Sequence, residues 1–381
     1  MTRHGSRHLP SMTSRTSLNA RTLERRYYTG DDVYARETEH IFFDRWLFAG
    51  RASQVKTPGS YMLFEVESES IIILRAHDGT LHAHHNVCRH RGTRLVTEPA
   101  GTFGKSIQCG YHAWTYALDG RLTGAPFMDE VESFCKDNYP LLSVELAEWE
   151  GCIFVNLSGA PEPFEQAFAP LIDKFDRWGL AELQIAHRIE YELSANWKLV
   201  FQNYSECYHC PALHPTLNKL TPFRNAWNDL EEGPFLGGPM RMSIEGGSMT
   251  MSGQRCAAPL GRLDGEDLNL VQYYTVFPNL LLSLHPDYVL IHRIDRLATD
   301  RTRIVCDWLF HPDEMAGPDF DPEPAIKFWN MTNEQDWMVS ELSQAGISSR
   351  AYTPGPYAEL ESMIAAWDRE YLRSLDPEPG D

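Results

Sequence analysis

Two pairs of cysteine and histidine, eighteen residues apart, carry the clearest chemistry in this sequence. The pairs are Cys88-Arg89-His90 and Cys109-Gly110-Tyr111-His112. Thiolates alone would suggest zinc or a low-potential cluster, whereas two cysteines on one iron and two histidines on the other hold a [2Fe–2S] cluster of higher potential. We therefore expect Cys88, His90, Cys109 and His112 to bind such a cluster and the chain to handle electrons.

A second group of metal-binding side chains, Glu206, His209 and His214, falls within nine residues. On a helix, Glu206 and His209 would share one face because they are three residues apart. Pro211 cannot continue the helix hydrogen bonding, so the chain must kink or end there, which lets His214 approach His209. Two imidazoles and one carboxylate on one face of an iron leave positions open for O2, as in non-haem Fe(II) oxygenases.

The carboxylate of this Fe(II) site must come from elsewhere in the chain. Asp336 is the best candidate, since it lies in a predicted C-terminal helix beside the apolar Trp337. Glu334 is the local alternative, but it would point to a very different side of the same helix. We expect His209, His214 and Asp336 to bind Fe(II), with Glu206 orienting His209 and Asn203 acting beside it.

The elements that must position these residues divide the sequence into an α+β chain of two domains. A helix is expected over residues 24–49, and short alternating strands separated by turns such as Asp78-Gly79 follow up to residue 157. We therefore predict an N-terminal arm and helix (1–42), an all-β cluster domain (43–160) and a catalytic iron domain (161–381).

The catalytic half is expected to combine helices with an antiparallel sheet. Residues 225–265 have weak periodicity and are expected to form loops over a pocket. Helices are predicted over 164–178, 196–208, 325–344 and 357–374, and strands over 182–193, 270–276, 280–284 and 303–310.

Composition limits the partners. A net charge of -19 argues against binding to nucleic acid or an anionic membrane, and no apolar run has the length of a membrane span. Residues 1–23 lack acidic side chains, which is typical of a transit peptide. Because they form no apolar face, we expect a flexible arm instead.

The eight cysteines do not resemble a secreted disulfide framework, so we expect a cytoplasmic protein with reduced thiols at Cys135, Cys152, Cys207, Cys210, Cys256 and Cys306.

The two motifs together, Cys-x-His…Cys-x-x-His and Glu-x-x-His-x4-His, resemble the α subunits of the Rieske non-haem iron oxygenases over nearly the whole chain. The resemblance implies a Rieske domain ahead of a helix-grip catalytic domain, usually in a homotrimer. There the cluster of one subunit faces the iron of the next, which would place Glu206 between His209 and His112 of the partner subunit. Many ring-hydroxylating members have aspartate at this bridging position, so glutamate is a departure.

Residues 203–215 and 278–288 resemble the clade of glycine betaine monooxygenase, stachydrine demethylase, choline monooxygenase and carnitine monooxygenase. That resemblance implies oxidation next to a quaternary ammonium, which is recognised through aromatic faces. The rings we expect around the substrate are Tyr204, Trp227, Tyr273, Phe277 and His285. Oxidation of an aromatic substrate is the alternative within the oxygenases. No glycine-rich dinucleotide motif opens a βαβ unit, so a separate flavin- and [2Fe–2S]-containing NAD(P)H reductase is expected to supply electrons.

The sequence predicts three iron atoms in each chain. Two belong to the cluster and one to the Fe(II) site, because a one-electron carrier joined to a mononuclear iron can deliver electrons singly to O2. Iron and acid-labile sulfide analysis of the purified, red-brown protein tests this. Two irons per chain would instead indicate an electron carrier with a vestigial second site, and a colourless zinc protein would contradict both.

Overall fold

The computed structural model describes residues 20–376, so the predicted arm lies largely outside the described residues. The chain begins with α1 (Arg26–Thr29) and α2 (Asp31–Glu37), which continues as a π-helical turn over Thr38–Phe42. The predicted helix over 24–49 is therefore too long, because strand β1 (Leu47–Arg51) begins inside it. The apolar residues before Leu47 fit the spacing of a helix as well as that of a strand. The antiparallel pairing of Leu47 with Val155 shows that the chain forms a strand from Leu47 onward.

The next hundred residues form small antiparallel sheets, as predicted. Strands β2 to β5 and β1, β9 and β10 build two of these sheets, in the orders β4-β3-β2-β5 and β1-β10-β9, and β6 to β8 form a third. The bounds are β2 (Ser60–Val66), β3 (Glu69–Arg75), β4 (Leu81–His85), β5 (Ala100–Thr102), β6 (Ile107–Gln108), β7 (Thr115–Tyr116), β8 (Leu122–Gly124), β9 (Glu145–Trp149) and β10 (Cys152–Asn156).

The catalytic half is built on a sheet with strand order β11-β16-β15-β14-β13-β12, all neighbours antiparallel. Its strands are β11 (Gln184–Leu193), β12 (Phe235–Arg241), β13 (Leu270–Val276), β14 (Leu280–Leu284), β15 (Val289–Ala298) and β16 (Arg301–Phe310). An all-β domain followed by an antiparallel sheet with helices confirms the predicted fold class. β12 is a correction, since it lies within the stretch expected to be loops.

Helices connect and cover this sheet. They are α3 (Phe164–Ala167), α4 (Trp197–Tyr204), α5 (Cys210–Leu213), α6 (Pro215–Leu220), α7 (Pro312–Met315), α8 (Glu323–Ile347) and α9 (Ser362–Leu375). The predicted helix over 164–178 ends after one turn, because Pro170 lacks the N–H and clashes with the preceding turn. Within residues 20–376, no helix is both long and apolar enough to cross a bilayer.

A buried carboxylate, Glu37 at the end of α2, ties these parts together. It accepts hydrogen bonds from Lys198 Nζ at 2.5 Å, Arg296 Nη1 at 2.7 Å, Trp197 Nε1 at 3.1 Å and Tyr371 Oη at 2.7 Å. These donors belong to α4, β15 and α9, so one side chain fixes the N-terminal helix against three elements of the catalytic half.

Arg296 extends this connection to the all-β domain. Its Nε donates to Glu67 Oε1 at 2.8 Å, and Glu67 lies in the turn between β2 and β3. Burial alone would raise the pKa of Glu37, but Lys198 and Arg296 hold it below the ordinary glutamate value. The ionised form is therefore the one that holds the domains together.

Replacing Glu37 by glutamine is expected to lower the free energy of unfolding by about 3–5 kcal/mol, because the buried Lys198 loses the carboxylate it pairs with and Arg296 keeps only Glu67. Urea denaturation followed by circular dichroism measures this. Glu39→Gln on the exposed side of the same segment is the control and should change stability little. The stabilisation is present above the ordinary glutamate pKa and is lost as the pH falls through the lowered one. An equal effect of both substitutions would contradict the role of Glu37.

Candidate active site

The first site lies at the tips of two loops of the all-β domain. Cys88 and His90 follow β4, and Cys109 and His112 lie between β6 and β7. Both thiols are buried, and the imidazole rings of His90 and His112 have their centroids 4.6 Å apart. The structure therefore brings together the four residues that the sequence singled out.

The surroundings of these residues fit a bound [2Fe–2S] cluster. Nδ1 of His90 is buried without a hydrogen-bond partner among the described residues, as expected of a nitrogen that binds metal. The ring of His90 stacks on Trp114 at 4.8 Å, which fixes its orientation. The hydroxyl of Tyr116 lies 3.4 Å from Cys88 Sγ, where it can donate to a thiolate.

The second site joins His209, His214 and Asp336, whose ligand atoms all lie within 4.8 Å of one another. Nε2 of His214 is 2.8 Å from Asp336 Oδ1, and Nε2 of His209 is 3.5 Å from the same oxygen. Glu334 is exposed and bonds instead to Asn330 at 2.9 Å. The structure thus places Asp336 rather than Glu334 beside the imidazoles.

The other ring nitrogens of both histidines are held by acceptors. His209 Nδ1 lies 2.5 Å from Glu206 Oε1, and His214 Nδ1 lies 2.7 Å from Gln335 Oε1. Because both oxygens can only accept, each Nδ1 carries its proton and each Nε2 turns toward Asp336. This is the arrangement in which a metal-binding histidine is fixed by a hydrogen bond on its far nitrogen.

The electrostatics of this group favour a bound cation. Burial alone would lower the pKa of His209, but hydrogen bonds to Asp336 and Glu206 raise it to about 9. The pKa of Asp336 lies below its ordinary value: burial opposes this, and the bonds to His209 and His214 outweigh it. Two carboxylates therefore surround the imidazoles. Without a metal, a proton on the imidazole offsets their negative charge, and a bound divalent metal would take over that role.

The local backbone differs from the predicted helix. α4 ends at Tyr204, so Glu206 and His209 lie in the following turn and share no helix face. Glu206 Oε2 accepts from the backbone N–H groups of Tyr208 and His209, and this turn, rather than helical spacing, brings the two side chains together. The structure therefore pairs Glu206 with His209 as predicted, but through a turn and not through a shared helix face.

Comparison with known proteins identifies the chain. The family model of the ring-hydroxylating α subunit (catalytic domain) matches residues 180–376, and that of the Rieske [2Fe–2S] domain matches residues 45–135. The chain belongs to the ring-hydroxylating Rieske oxygenase family. Members carry a Rieske cluster and a mononuclear iron that uses O2, and both groups of side chains described above fit these cofactors.

Several relatives of this oxygenase are named for quaternary ammonium compounds. The glycine betaine monooxygenase oxygenase subunit of Chromohalobacter salexigens is 34% identical over 88% of this chain and 82% of its own. The carnitine monooxygenase oxygenase subunit of Acinetobacter baumannii is 35% identical over 51% of this chain and 53% of its own. A quaternary ammonium Rieske monooxygenase solved with L-carnitine shares the fold, with a TM-score of 0.79, 24% identity and coverage of 94% and 96%.

A cavity of about 200 Å³ lies against the second site of the oxygenase. It is lined by His209, His214 and Asp336 themselves and by aromatic rings from several elements. Of the rings expected around the substrate, Tyr204, Trp227 and Tyr273 line it, and so does Asn203, which was expected to act beside His209. Phe223 and Trp329 also line it, and the sequence gave no periodic signal that separates them from core aromatic residues.

Phe277 and His285 do not line the cavity, which corrects their assignment to substrate binding. Phe277 packs against Trp197 and Trp367 in the core, with ring centroids 6.2 and 5.9 Å away. His285 is fully buried and stacks on Tyr288 at 4.2 Å, and burial lowers its pKa to about 3. Both rings therefore belong to the packed interior and not to the wall of the cavity.

Cys207 and Cys210 form a disulfide in the turn that carries Glu206 and His209, against the expectation of reduced thiols. The turn places their Cα atoms 4.9 Å apart, with Cys210 N donating to Cys207 O, so the sulfurs meet. The other cysteines expected to be reduced are free.

Gln335 is the positioning residue that sequence reasoning missed. It neighbours Asp336 on α8, and its contact with His214 depends on how this helix approaches the α5–α6 segment. Nothing in the sequence around Gln335 indicates this contact, because a glutamine next to an aspartate is ordinary in a helix.

Replacing Gln335 by leucine is expected to weaken Fe(II) binding about 10- to 100-fold, because His214 loses the acceptor that fixes its tautomer. Anaerobic titration with Fe(II), or with Co(II) followed by its visible spectrum, measures the affinity. Glu334→Leu on the exposed side of the same helix is the matched control. Equal affinities in the two variants would show that Gln335 does not position His214.

Proposed function

We propose that this chain is the terminal oxygenase of a system that oxidatively N-demethylates a quaternary ammonium compound. The observation that carries the proposal is the cavity beside His209, His214 and Asp336, whose walls combine aromatic rings with carboxylates. Aromatic faces and negative charge are what a cation without hydrogen-bond donors can use. The names of these two relatives, for glycine betaine and carnitine, support the same substrate class.

The proposed reaction has two steps. Hydroxylation of an N-methyl group consumes O2, two electrons and two protons, and places one oxygen atom in the N-hydroxymethyl group and the other in water. The carbon–nitrogen bond then breaks, its electron pair returns to nitrogen, and the hydroxyl proton leaves. The products are formaldehyde and a tertiary amine. When bound, the cluster supplies single electrons and the ferrous ion supplies open positions for O2.

The side chains divide this work. We assign cluster binding to Cys88, His90, Cys109 and His112, and Fe(II) binding to His209, His214 and Asp336. Tyr204, Trp227 and Tyr273 hold the substrate against the iron, with Asn203 as a polar neighbour in the same wall.

Glu206 has the further role of a bridge between subunits. It already holds His209 Nδ1, and its second oxygen is oriented by the turn that contains Tyr208. Tyr208 is half exposed, so this turn lies at the surface where a second subunit can approach. We propose that His112 of the partner subunit contacts Glu206 in a homotrimer, and that a separate NAD(P)H reductase of the cytoplasm reduces the cluster.

Formaldehyde release tests the substrate class. With a compatible reductase, glycine betaine, stachydrine or choline should give formaldehyde in proportion to O2 consumed, and benzoate or salicylate should give no product. Asp336→Ala should abolish release while the cluster spectrum persists, and the matched control Glu334→Ala should stay active. Hydroxylation of the aromatic acids, with no turnover of any quaternary amine, would contradict the proposal.

Glu206→Gln tests the bridge. The amide keeps a hydrogen-bonding side chain of the same size but loses the charge, so both metals should remain bound while coupled turnover falls on the order of 100-fold. Iron content and the cluster spectrum verify metal binding, and formaldehyde yield per electron consumed measures coupling. Unchanged product formation would remove Glu206 from the electron path.

A further inference from the structure

The disulfide between Cys207 and Cys210 takes no part in the proposed reaction, yet it lies at the iron site. Both cysteines line the cavity, where Cys210 is buried and Cys207 is partly exposed. Cys210 Sγ lies 4.0 Å from His209 Nε2, the nitrogen that turns toward Asp336. The sulfurs are therefore next to the atoms assigned to Fe(II), and a small molecule formed in the cavity can meet them directly.

The turn does not need this bond to keep its shape. Glu206 Oε2 accepts from the backbone N–H groups of Tyr208 and His209. Cys210 N donates to Cys207 O at 3.2 Å. The cysteines are three positions apart, and closing so short a loop restricts the unfolded chain little. The hydrogen bonds keep the sulfurs close together in the reduced state as well, so the disulfide can open and close without refolding of the turn.

The chemistry of the family supplies an oxidant for such a pair. Two electrons that reduce O2 without reaching a substrate give hydrogen peroxide. A lone thiolate oxidised by peroxide passes through sulfenic acid to sulfinic acid, which most proteins cannot recover, whereas a second thiol traps the sulfenic acid as a disulfide. The Cα atoms of Cys207 and Cys210 are 4.9 Å apart, within the range that such a bond requires.

We propose that Cys207 and Cys210 are a redox pair that captures hydrogen peroxide formed beside the iron. One thiol attacks the peroxide, the O–O bond breaks, and a sulfenic acid and one water form. The second thiol attacks the sulfenic sulfur, so that the S–S bond forms and a second water leaves. Two thiols thus lose two electrons and two protons, and one peroxide gains them. A dithiol reductant restores the thiols and itself becomes a disulfide. This capture rests on the Fe(II) ligands of the proposed function and not on its substrate class.

The pair protects oxidisable side chains in the same wall. Met240 and Met363 line the cavity and are buried, so peroxide reaches them from the cavity and not from the solvent. Oxidation to the sulfoxide would make these apolar side chains polar. Met338, which is half exposed on α8 outside the lining, reports oxidation by peroxide from the solvent.

A pair that captures peroxide must react faster than an ordinary exposed thiol, and Cys135 provides that comparison. The holoenzyme is reduced with dithiothreitol, desalted without O2 and treated with one equivalent of hydrogen peroxide, and the remaining thiols are alkylated over time. Trypsin leaves Cys207 and Cys210 together in peptide 199–219 and Cys135 in peptide 122–136, so mass spectrometry reads them separately. The disulfide should form roughly tenfold or more faster than Cys135 is oxidised, since Cys135 has no second thiol in its loop.

Peroxide made by the enzyme itself tests the location. The reduced holoenzyme receives O2, NADH and a compatible reductase in the presence of catalase, which destroys peroxide that escapes into the solvent. The disulfide should still form while Cys135 stays free. Asp336→Ala, which loses an assigned Fe(II) ligand, should keep both thiols of the pair reduced, and the matched control Glu334→Ala should form the disulfide.

The double variant Cys207→Ser/Cys210→Ser tests the protection. In the same assay it should accumulate sulfoxide at Met240 and Met363 several-fold faster than the unaltered chain, with equal sulfoxide at Met338. Iron content and the cluster spectrum verify that the variant is folded. Cys210→Ser alone should leave a sulfenic acid on Cys207, which dimedone labels.

Three results would overturn this role of the pair. They are a bond that dithiothreitol does not open in the folded holoenzyme, equal rates of oxidation for the pair and Cys135, and a disulfide that forms equally in Asp336→Ala. Formaldehyde release alongside any of them would leave the proposed function intact. A pair that captures peroxide in an enzyme that releases no formaldehyde from any quaternary amine would overturn the proposed function alone.

Discussion

The carboxylate of Glu37 is the contact on which the arrangement of this molecule depends. It is buried, and it accepts from Lys198, Arg296, Trp197 and Tyr371, so α4, β15 and α9 meet at one charge. Two of these donors lie on α4, the helix that ends just before Glu206. Arg296 also reaches Glu67 of the all-β domain. One ion-pair network therefore holds both the helix that leads to the turn carrying Glu206 and His209 and the all-β domain. Neither proposed iron-binding group is part of this network.

At the group formed by His209, His214 and Asp336, two different kinds of acceptor hold the two histidines. A carboxylate, Glu206, holds His209, and a neutral amide, Gln335, holds His214. A charged acceptor raises the basicity of its imidazole more than a neutral one, so the two ligands are not equivalent. The charged acceptor belongs to the turn that carries the exposed Tyr208, and the neutral one to α8. This asymmetry suits a site that receives electrons from one side and substrate from the other.

The sequence singled out side chains that the structure brings together, because residue type and spacing carry their chemistry. Cys88, His90, Cys109 and His112 come together in two loops, and Asp336 approaches the histidines across the fold. The sequence did not predict contacts that depend on tertiary approach. Tyr204 ends its helix before Glu206, and Gln335 meets His214 through the placement of α8. Phe277 packs against rings of α4 and α9, and His285 stacks on Tyr288. Local periodicity contains none of this information.

Mixed oligomers test whether the cluster of one subunit serves the iron of another, as we propose. Two inactive chains with different tags, Cys109→Ser without a cluster and Asp336→Ala without Fe(II), are co-expressed, and oligomers that carry both tags are purified and checked for folding and metal content. We expect formaldehyde release to return in the mixed oligomers and to be absent from each variant alone. Mixed oligomers that hold both metals and remain inactive would contradict transfer between subunits.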